Sequence, residues 1–179
     1  MLGVSLDYYD IAYGSCNASP SLESALGYRR IFLSNKDVKI IDSIYKKEAI
    51  EGSITLNSSD DKEILAVIKA NPSAIVFKDL HINKKVMERM KESDIALCLP
   101  ASFITCSYGL QRSRNIYLMS RLFAHAKSIK LDVSFATLAM NNMHLCSYIQ
   151  LMELAKLLGS DEEYARKSLS KINNSLVRK

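Results

Sequence analysis

The sequence predicts an α/β fold, with parallel strands in the interior and helices packed outside them. Three observations indicate this fold. Short apolar runs alternate with segments in which apolar residues recur at helical spacing. Residues 95–99 are continuously apolar, which is typical of a parallel strand buried on both faces. Capping and breaking residues divide the chain at distances that suit right-handed crossovers, so a doubly wound sheet and a trimmed eightfold β/α barrel both remain open.

The first part of the chain predicts two strands and two helices. Residues 2–7 and 30–33 have the apolar pattern of strands, and Asp7 at the end of the first is positioned like a vestigial metal ligand. Ser19 before a proline predicts a helix start, and Gly27 is expected to end that helix. Asn35 is expected to cap a second helix, because the apolar residues at 38, 41, 44 and 45 recur at helical spacing.

The middle of the chain predicts three strands with two helices between them. The strands are residues 53–56, 74–77 and 95–99. A serine at 58 or 59 can cap the first helix, and Pro72 ends it because proline disfavours helical geometry in the preceding residue. Asn83 is expected to cap the second helix. The inward residues of that helix are Val86, Met87 and Met90.

Residues 111–129 predict one long helix with two unlike faces, after a loop over residues 101–110. The apolar face holds Ile116, Met119, Leu122, Phe123 and Ala126. The opposite stripe holds Arg114, Arg121, His125 and Ser128. The first face is therefore expected to pack, and the second to meet solvent or phosphate.

The end of the chain predicts one more strand, over residues 131–137, and two more helices. A polar loop over residues 139–144 follows the strand, and an apolar helix over 147–158 follows the loop. Ser160 with a glutamate three residues later forms a capping box that opens the last helix. The tail from Asn173 is expected to fray.

The composition is that of an ordinary soluble globular chain, expected to form one domain over residues 1–179. No stretch approaches the roughly 18 apolar residues needed to span a bilayer, and the start of the chain does not read as a signal peptide, so we expect a cytoplasmic protein. The four cysteines and three histidines are dispersed without CxxC or HxxxH spacing, so no metal site is expected.

A carboxylate-free stretch lies between Asp94 and Asp132. Its basic residues are Arg112, Arg114, Arg121, Lys127 and Lys130. The net charge of +5 alone would suit mere solubility, but a run of one sign is electropositive over a continuous surface and favours a phosphate-bearing partner. The interleaved aromatic residues, which could stack on bases or belong to the core, are Phe103, Tyr108, Tyr117 and Phe123. RNA is the first partner that this stretch suggests.

Arg112 and Arg114 are the sharpest candidates for phosphate contact, because backbone N–H groups and the helix dipole also favour anions at a helix start. Arg121 and Lys127 lie further along the helix, where a partner protein or solvent could engage them instead. Lys78 directly follows a strand, a position suited to a functional site, although a salt bridge is a comparable explanation.

Four segments carry a family resemblance: residues 95–97, 112–115 (RSRN), 130–136 (KLDVSFA) and 157–173 (LLGSDEEYARKSLSKIN). In this order they resemble protein component 3 of archaeal ribonuclease P, a thirty-kilodalton subunit family also found in eukaryotes. The resemblance is clear for residues 95–174 and weaker before them. It implies a compact TIM-barrel-like β/α fold, related to the polymerase-and-histidinol-phosphatase group of metallophosphoesterases.

The resemblance also implies a function. The chain would be a non-catalytic subunit of an endoribonuclease whose RNA removes 5′ leaders from precursor tRNA. Mg²⁺ is expected for the RNA-catalysed reaction, with no cofactor bound directly by the protein. The implied partners are ribonuclease P RNA, precursor tRNA through the holoenzyme, and a small subunit with a ferredoxin-like fold.

The site residues that the resemblance implies are Lys78, Arg112, Arg114 and Asn115. Together with Arg121 and Lys127 from the charge pattern, they form the predicted RNA-binding set. The family commonly carries arginines near positions matching residues 100–103 and 143–148, and this sequence has none there.

Two other functions stay open. A metal-dependent phosphoesterase of the related fold would gather several histidines and carboxylates around two or three metal ions, whereas this chain has only three dispersed histidines. A basic adaptor that binds an acidic protein would show the same charge pattern as an RNA-binding subunit.

Overall fold

The computed structural model describes residues 8–12, 15–34, 36–37, 39–41, 53–57, 61–81 and 84–173, and it confirms an α/β fold of parallel strands and helices. The strands are β1 (Tyr9–Ala12), β2 (Arg30–Leu33), β3 (Ile40–Ile41), β4 (Ile54–Asn57), β5 (Ala74–Phe77), β6 (Ala96–Pro100) and β7 (Val133–Ala136). The helices are α1 (Pro20–Leu26), α2 (Asp61–Lys69), α3 (Lys84–Glu92), α4 (Ser102–Thr105), α5 (Gly109–Ser128), α6 (Tyr148–Leu157) and α7 (Glu162–Lys167). A 3-10 turn spans Asn142–His144, and a π-helical turn, Ser168–Ile172, continues α7.

All strand pairs among the described residues are parallel. Strands β1 and β2 form one sheet, and β3 to β7 form a second sheet in sequence order. Parallel pairing requires that each connection between neighbouring strands of the second sheet runs back to the end of the sheet at which the strands begin. The carboxyl ends of the strands consequently meet at one edge, where the following loops and helix starts gather.

Strands β1, β5, β6 and β7 are buried on both faces, and β5 and β6 accordingly read as continuous apolar runs. One face packs against the helices through an outer cluster that includes Ile31, Ile75, Phe77, Leu97 and Phe135. The other face forms an inner cluster of Tyr9, Ile11, Phe32, Ile54, Ala74, Val76, Ala96, Cys98, Ala136, Leu138 and Ile172. Members of β1 and β2 thus share one core with members of β4 to β7.

Strand β1 is joined to β7 through a buried carboxyl group. The Leu138 amide donates to the Ile11 carbonyl at 2.8 Å. Asp10, which is fully buried, accepts hydrogen bonds from the Thr137 amide at 2.7 Å, the Thr137 hydroxyl at 2.5 Å and the Ile11 amide at 2.8 Å. Burial raises the pKa of Asp10 to about 6, and these three hydrogen bonds oppose the rise.

Asn173 makes a second connection between the same two strands. Its side-chain amide donates to the Tyr9 carbonyl and to the Phe135 carbonyl, each at 2.9 Å, and its Oδ1 accepts from the Ser134 hydroxyl at 2.5 Å. Asn173 and Ser134 are both fully buried. The end of the π-helical turn therefore satisfies backbone carbonyls of β1 and β7 that would otherwise be buried without a donor.

Helix α1 begins and ends as its sequence predicts. The Ser19 hydroxyl accepts from the Leu22 amide, Pro20 is the first helical residue, and Gly27 closes the helix in the left-handed region at φ 79°. A Cβ at Gly27 would overlap the ring of Tyr148, which itself stacks on Tyr8 at 4.7 Å between centroids.

Replacing Gly27 by alanine should lower the free energy of unfolding by at least about 2 kcal/mol, because left-handed geometry and steric overlap both penalise the new methyl group. Urea denaturation measures the change. Gly159→Ala is the matched control: Gly159 also has a positive φ, 98°, but nothing lies within 4 Å of its added Cβ. Equal losses in the two variants would contradict a steric role for Tyr148.

Several predicted elements differ from the observed ones. The predicted strand over residues 2–7, with Asp7, lies outside the described residues, and the first described strand is Tyr9–Ala12, where no strand was predicted. Ile40–Ile41 was predicted as part of a helix and is a strand, because parallel pairing with Ile54 and Thr55 overrides the apparent helical spacing.

Two further corrections concern the second half of the chain. The loop predicted over residues 101–110 contains the short helix α4. The last helix is capped by Asp161, not Ser160, since the Asp161 carboxylate accepts from the Tyr164 amide at 2.8 Å. The predicted fraying from Asn173 is wrong for Asn173 itself, because its side chain is buried and hydrogen bonded.

Candidate nucleic-acid interface

Helix α5 carries most of the predicted site residues. It begins at Gly109 after Tyr108, whose extended backbone occupies the N-cap position without a side-chain cap. Met119, Leu122, Phe123 and Ala126 are buried against the outer cluster, as the helical spacing predicts. Because 20 residues of helix rest on one apolar stripe, the opposite side stays in contact with solvent.

The solvent side of α5 combines cations with exposed apolar side chains. Its members, which we name the α5 exposed face, are Leu110, Arg114, Tyr117 and Arg121. Leu110 is 91% exposed and Tyr117 is 60% exposed. The Arg121 guanidinium lies over the Tyr117 ring, 5.8 Å from its centroid. A flat aromatic ring beside a cation is an arrangement that can stack on a base and contact a phosphate.

Arg112 differs from Arg114, although both were predicted to contact phosphate. The Arg112 Nε donates to the carbonyls of Ile104, at 3.1 Å, and Ser107, at 2.8 Å. Its guanidinium also lies over the Tyr108 ring, 5.6 Å from the centroid. Arg112 thus satisfies carbonyl groups at the end of α4, while its side chain as a whole remains exposed. No described contact of this kind involves Arg114, which is exposed on α5.

Asn115 also ties α4 to α5. Its Nδ2 donates to the Phe103 carbonyl at 2.6 Å, and its Oδ1 accepts from Gln111 Nε2 at 2.8 Å. Both side-chain atoms of this half-buried residue are therefore engaged within the protein. The position suits a residue that sets the geometry of the α4–α5 corner.

Lys127 and Lys78 lie apart from the α5 exposed face. Lys127 Nζ donates to Asp161 Oδ2 at 2.7 Å, and this ion pair lowers the pKa of the Asp161 carboxyl. Lys78 is exposed in the turn after β5. The structure thus brings Arg114 and Arg121 together on one face, with Arg112 and Asn115 at its start and the two lysines elsewhere.

The four aromatic residues of the carboxylate-free stretch divide cleanly. Phe123 is buried, and Phe103 is half-buried against both apolar clusters. Tyr108 is 79% exposed and Tyr117 is exposed on α5. Two tyrosines, each beside an arginine, are therefore available to a partner, whereas the two phenylalanines belong to the core.

A groove of about 380 Å³ lies between α3 and α5, next to the α5 exposed face. Its basic residues are His81, Lys84, Arg121 and His125. Its apolar residues are Leu80, Met87, Leu118, Leu122 and Ala124, with Ser128 at the end. The sequence showed the α5 half of this groove as the stripe of Arg121, His125 and Ser128, but nothing in it placed Lys84 opposite that stripe.

No protein-family model matches the sequence, and no curated protein does. Among solved structures, the fold is similar to one chain of an archaeal ribonuclease P determined by cryo-EM with mature tRNA, with a TM-score of 0.66 and 12% identity over 96% of this chain and 81% of that chain. It is also similar to ochratoxinase from A. niger, with a TM-score of 0.51 and 16% identity over 69% of this chain and 30% of that chain.

A third similar structure is a prolidase in complex with N-methylphosphonate-L-proline, with a TM-score of 0.55 and 9% identity over 88% of this chain and 45% of that chain. The chain spans less than half the length of this prolidase and of ochratoxinase. At such identities the three similarities show a shared α/β fold, including that of a ribonuclease P subunit, and nothing finer.

The described residues contain no group of three His, Cys, Asp or Glu side chains close enough to hold a metal ion. Asp10 is a fully buried carboxyl, and its described hydrogen bonds are to Ile11 and Thr137. None of the described helices is both long and apolar enough to cross a membrane.

Proposed function

We propose that this protein is a subunit of ribonuclease P, of the component 3 type, which binds and supports the catalytic RNA that removes 5′ leaders from precursor tRNA. The observation that carries the proposal is the α5 exposed face, where Arg114 and Arg121 flank Tyr117 without a nearby carboxylate in the sequence. The fold shared with a ribonuclease P chain over 96% of this sequence supports it.

The residues divide into contacting and positioning roles in this proposal. Arg114 and Arg121 contact phosphates, and Tyr108 and Tyr117 offer ring faces to unpaired bases. Arg112 and Asn115 hold the α4–α5 corner from which these side chains project. Lys78 and Lys127 act at the margin of the RNA surface, where Lys127 exchanges its partner Asp161 for phosphate.

We also assign the fold to the compact TIM-barrel-like group related to the polymerase-and-histidinol-phosphatase enzymes. The inner cluster supports this assignment, because it joins side chains of β1, β2 and β4 to β7 in one core. The hydrogen bonds of Asp10 and Asn173 connect β1 with β7, the first and last described strands, and these are the strands that would meet in a closed barrel.

The rest of the proposal concerns the assembly. Ribonuclease P RNA and a small ferredoxin-like subunit are the direct partners, and precursor tRNA is reached through the holoenzyme in the cytoplasm. Mg²⁺ acts within the RNA-catalysed reaction. The protein itself contributes binding and positioning, and no chemical step.

The double variant Arg114→Ala and Arg121→Ala should weaken binding to ribonuclease P RNA by about 10- to 100-fold at physiological salt. Each lost phosphate contact is expected to lower the affinity by about 3- to 10-fold. The slope of log affinity against log salt should fall by roughly 1.4 to 1.8. Filter binding over a salt series measures both quantities, and pre-tRNA cleavage in a reconstituted holoenzyme measures the consequence.

Arg89→Ala with Lys91→Ala is the matched control, because it removes the same charge from the exposed end of α3. Circular dichroism should show that both double variants stay folded. Two results would contradict RNA contact by the α5 exposed face. One is an RNA affinity of the wild-type protein that does not change with salt concentration, and the other is an equal loss of RNA affinity in the two double variants.

A further inference from the structure

The groove between α3 and α5 has the charge of an anion site. Lys84 projects from the first turn of α3 and Arg121 from the third quarter of α5, so cations stand on both walls. Among the described residues that line the groove, none is acidic. Two opposed cations without a carboxylate between them favour an occupant with negative charge.

The floor of the groove is apolar. Leu118 and Leu122 from α5 and Met87 from α3 line it. His125 also lines the groove, but its Nε2 atom is shielded from solvent and is therefore out of reach of an occupant. An occupant with a flat apolar body would cover the floor.

The size of the groove limits which kinds of anion can bind in it. About 380 Å³ lies near the lower end of the range in which small ligands bind. Two turns of an α-helix with side chains displace more than roughly 800 Å³, so an acidic helix does not fit inside. A bare phosphate would leave the apolar floor uncovered.

We propose that this groove binds a nucleotide unit, with its phosphate between Lys84 and Arg121 and its base on the apolar floor. The nucleotide comes from an unpaired position of an RNA or from a free nucleoside monophosphate. Only the RNA source rests on the proposed function. The groove adjoins the α5 exposed face through Arg121, so a strand lying on that face could place one base in it.

Titration calorimetry with adenosine 5′-monophosphate tests the site. Inorganic phosphate and adenosine, which each retain one half of the contacts, should bind at least about tenfold more weakly than the nucleotide. A 5′-phosphorylated single-stranded tetranucleotide distinguishes the sources: binding at least about tenfold tighter than the monophosphate identifies RNA, and equal binding identifies the free nucleotide. Both results support the groove as a nucleotide site.

Ala124 offers a matched pair of variants. It is exposed and lines the groove, and both glutamate and glutamine suit a helix interior. Ala124→Glu should weaken nucleotide binding by at least about tenfold, because it places a carboxylate beside the phosphate. Ala124→Gln adds nearly the same bulk without charge and should weaken binding by less than about threefold.

Three results would overturn the proposal: no saturable binding of the monophosphate or the tetranucleotide, inorganic phosphate binding as tightly as the monophosphate, or displacement of the nucleotide by an acidic peptide at lower concentration. Binding of ribonuclease P RNA separates the two proposals. If the wild-type protein binds this RNA but no nucleotide, only the nucleotide site in the groove is refuted. If it binds nucleotide but not this RNA, only the proposed function is refuted.

Discussion

Replacing Asn173 by alanine should lower the free energy of unfolding by about 3 to 5 kcal/mol, because it leaves three buried groups without partners at about 1 to 3 kcal/mol each, partly relieved by water or relaxation. The groups are the carbonyls of Tyr9 and Phe135 and the hydroxyl of Ser134. Urea denaturation followed by far-ultraviolet circular dichroism measures the loss.

Two companion variants sharpen the result. Asn141→Ala removes an exposed amide from a loop and should change stability by no more than about 0.5 kcal/mol. Asn173→Asp should cost more than Asn173→Ala, because a carboxylate would face two carbonyl oxygens instead of donating to them. A loss below about 1 kcal/mol in Asn173→Ala would show that the joint between β1 and β7 does not depend on this amide.

The second large effect is a dependence of stability on pH through Asp10. Its pKa rises from the usual 3.8 to about 6 in the folded protein, chiefly because burial disfavours the charged form. The folded state therefore binds the proton more tightly than the unfolded state does. The free energy of unfolding should be highest below pH 3.8 for this group, and should fall by about 3 kcal/mol in total as the pH rises through about 6 to about 7.

Asp10→Asn isolates this contribution. The asparagine oxygen can accept from the Ile11 and Thr137 amides, and its amide can donate to the Thr137 hydroxyl, so all three hydrogen bonds have a replacement. The variant should be at least as stable as the wild type at pH 7 and should lose the decline between pH 4 and 6. Asp10→Ala should instead lose about 3 kcal/mol or more at every pH.

Chemical denaturation at intervals of half a pH unit, from pH 4 to 7, measures these curves. Asp161 and Glu162 have lowered pKa values through Lys127 and Arg166 respectively, so their contribution declines as the pH falls, opposite in sign to that of Asp10. They are exposed, and the same background persists in Asp10→Asn. Parallel curves for the wild type and Asp10→Asn would contradict the raised pKa.

The sequence predicted those elements whose signals are local. The bounds of Arg30–Leu33 and Ala74–Phe77 were predicted exactly as observed, since each is an apolar run closed by turn residues. The caps of α1 were correct because proline and glycine act through their own backbone geometry. Ile40–Ile41 was predicted wrongly, because two residues form a strand only through a neighbour that periodicity does not reveal.

The candidate nucleic-acid surface was predictable to a similar extent. Helical spacing placed Arg114 and Arg121 on one solvent face, and that placement is confirmed. It could not show that Lys127 pairs with Asp161, 34 residues further along the chain, or that Asn115 donates to a carbonyl of α4. Helical spacing also could not predict that Lys84 lies across a groove from Arg121, because their relative position depends on how α3 and α5 pack together.

The joint between β1 and β7 has a consequence for how the chain acquires its structure. Asp10 bonds Thr137 across 127 residues, and Asn173 bonds Tyr9 across 164. During synthesis, β1 can pair early with β2, but its other edge stays unpaired until Leu138 and Asn173 emerge, more than 100 residues later. Contacts so distant in sequence slow folding. Until Asn173 has been synthesised, the unpaired edge of β1 can associate with strands of other chains, which is an aggregation hazard.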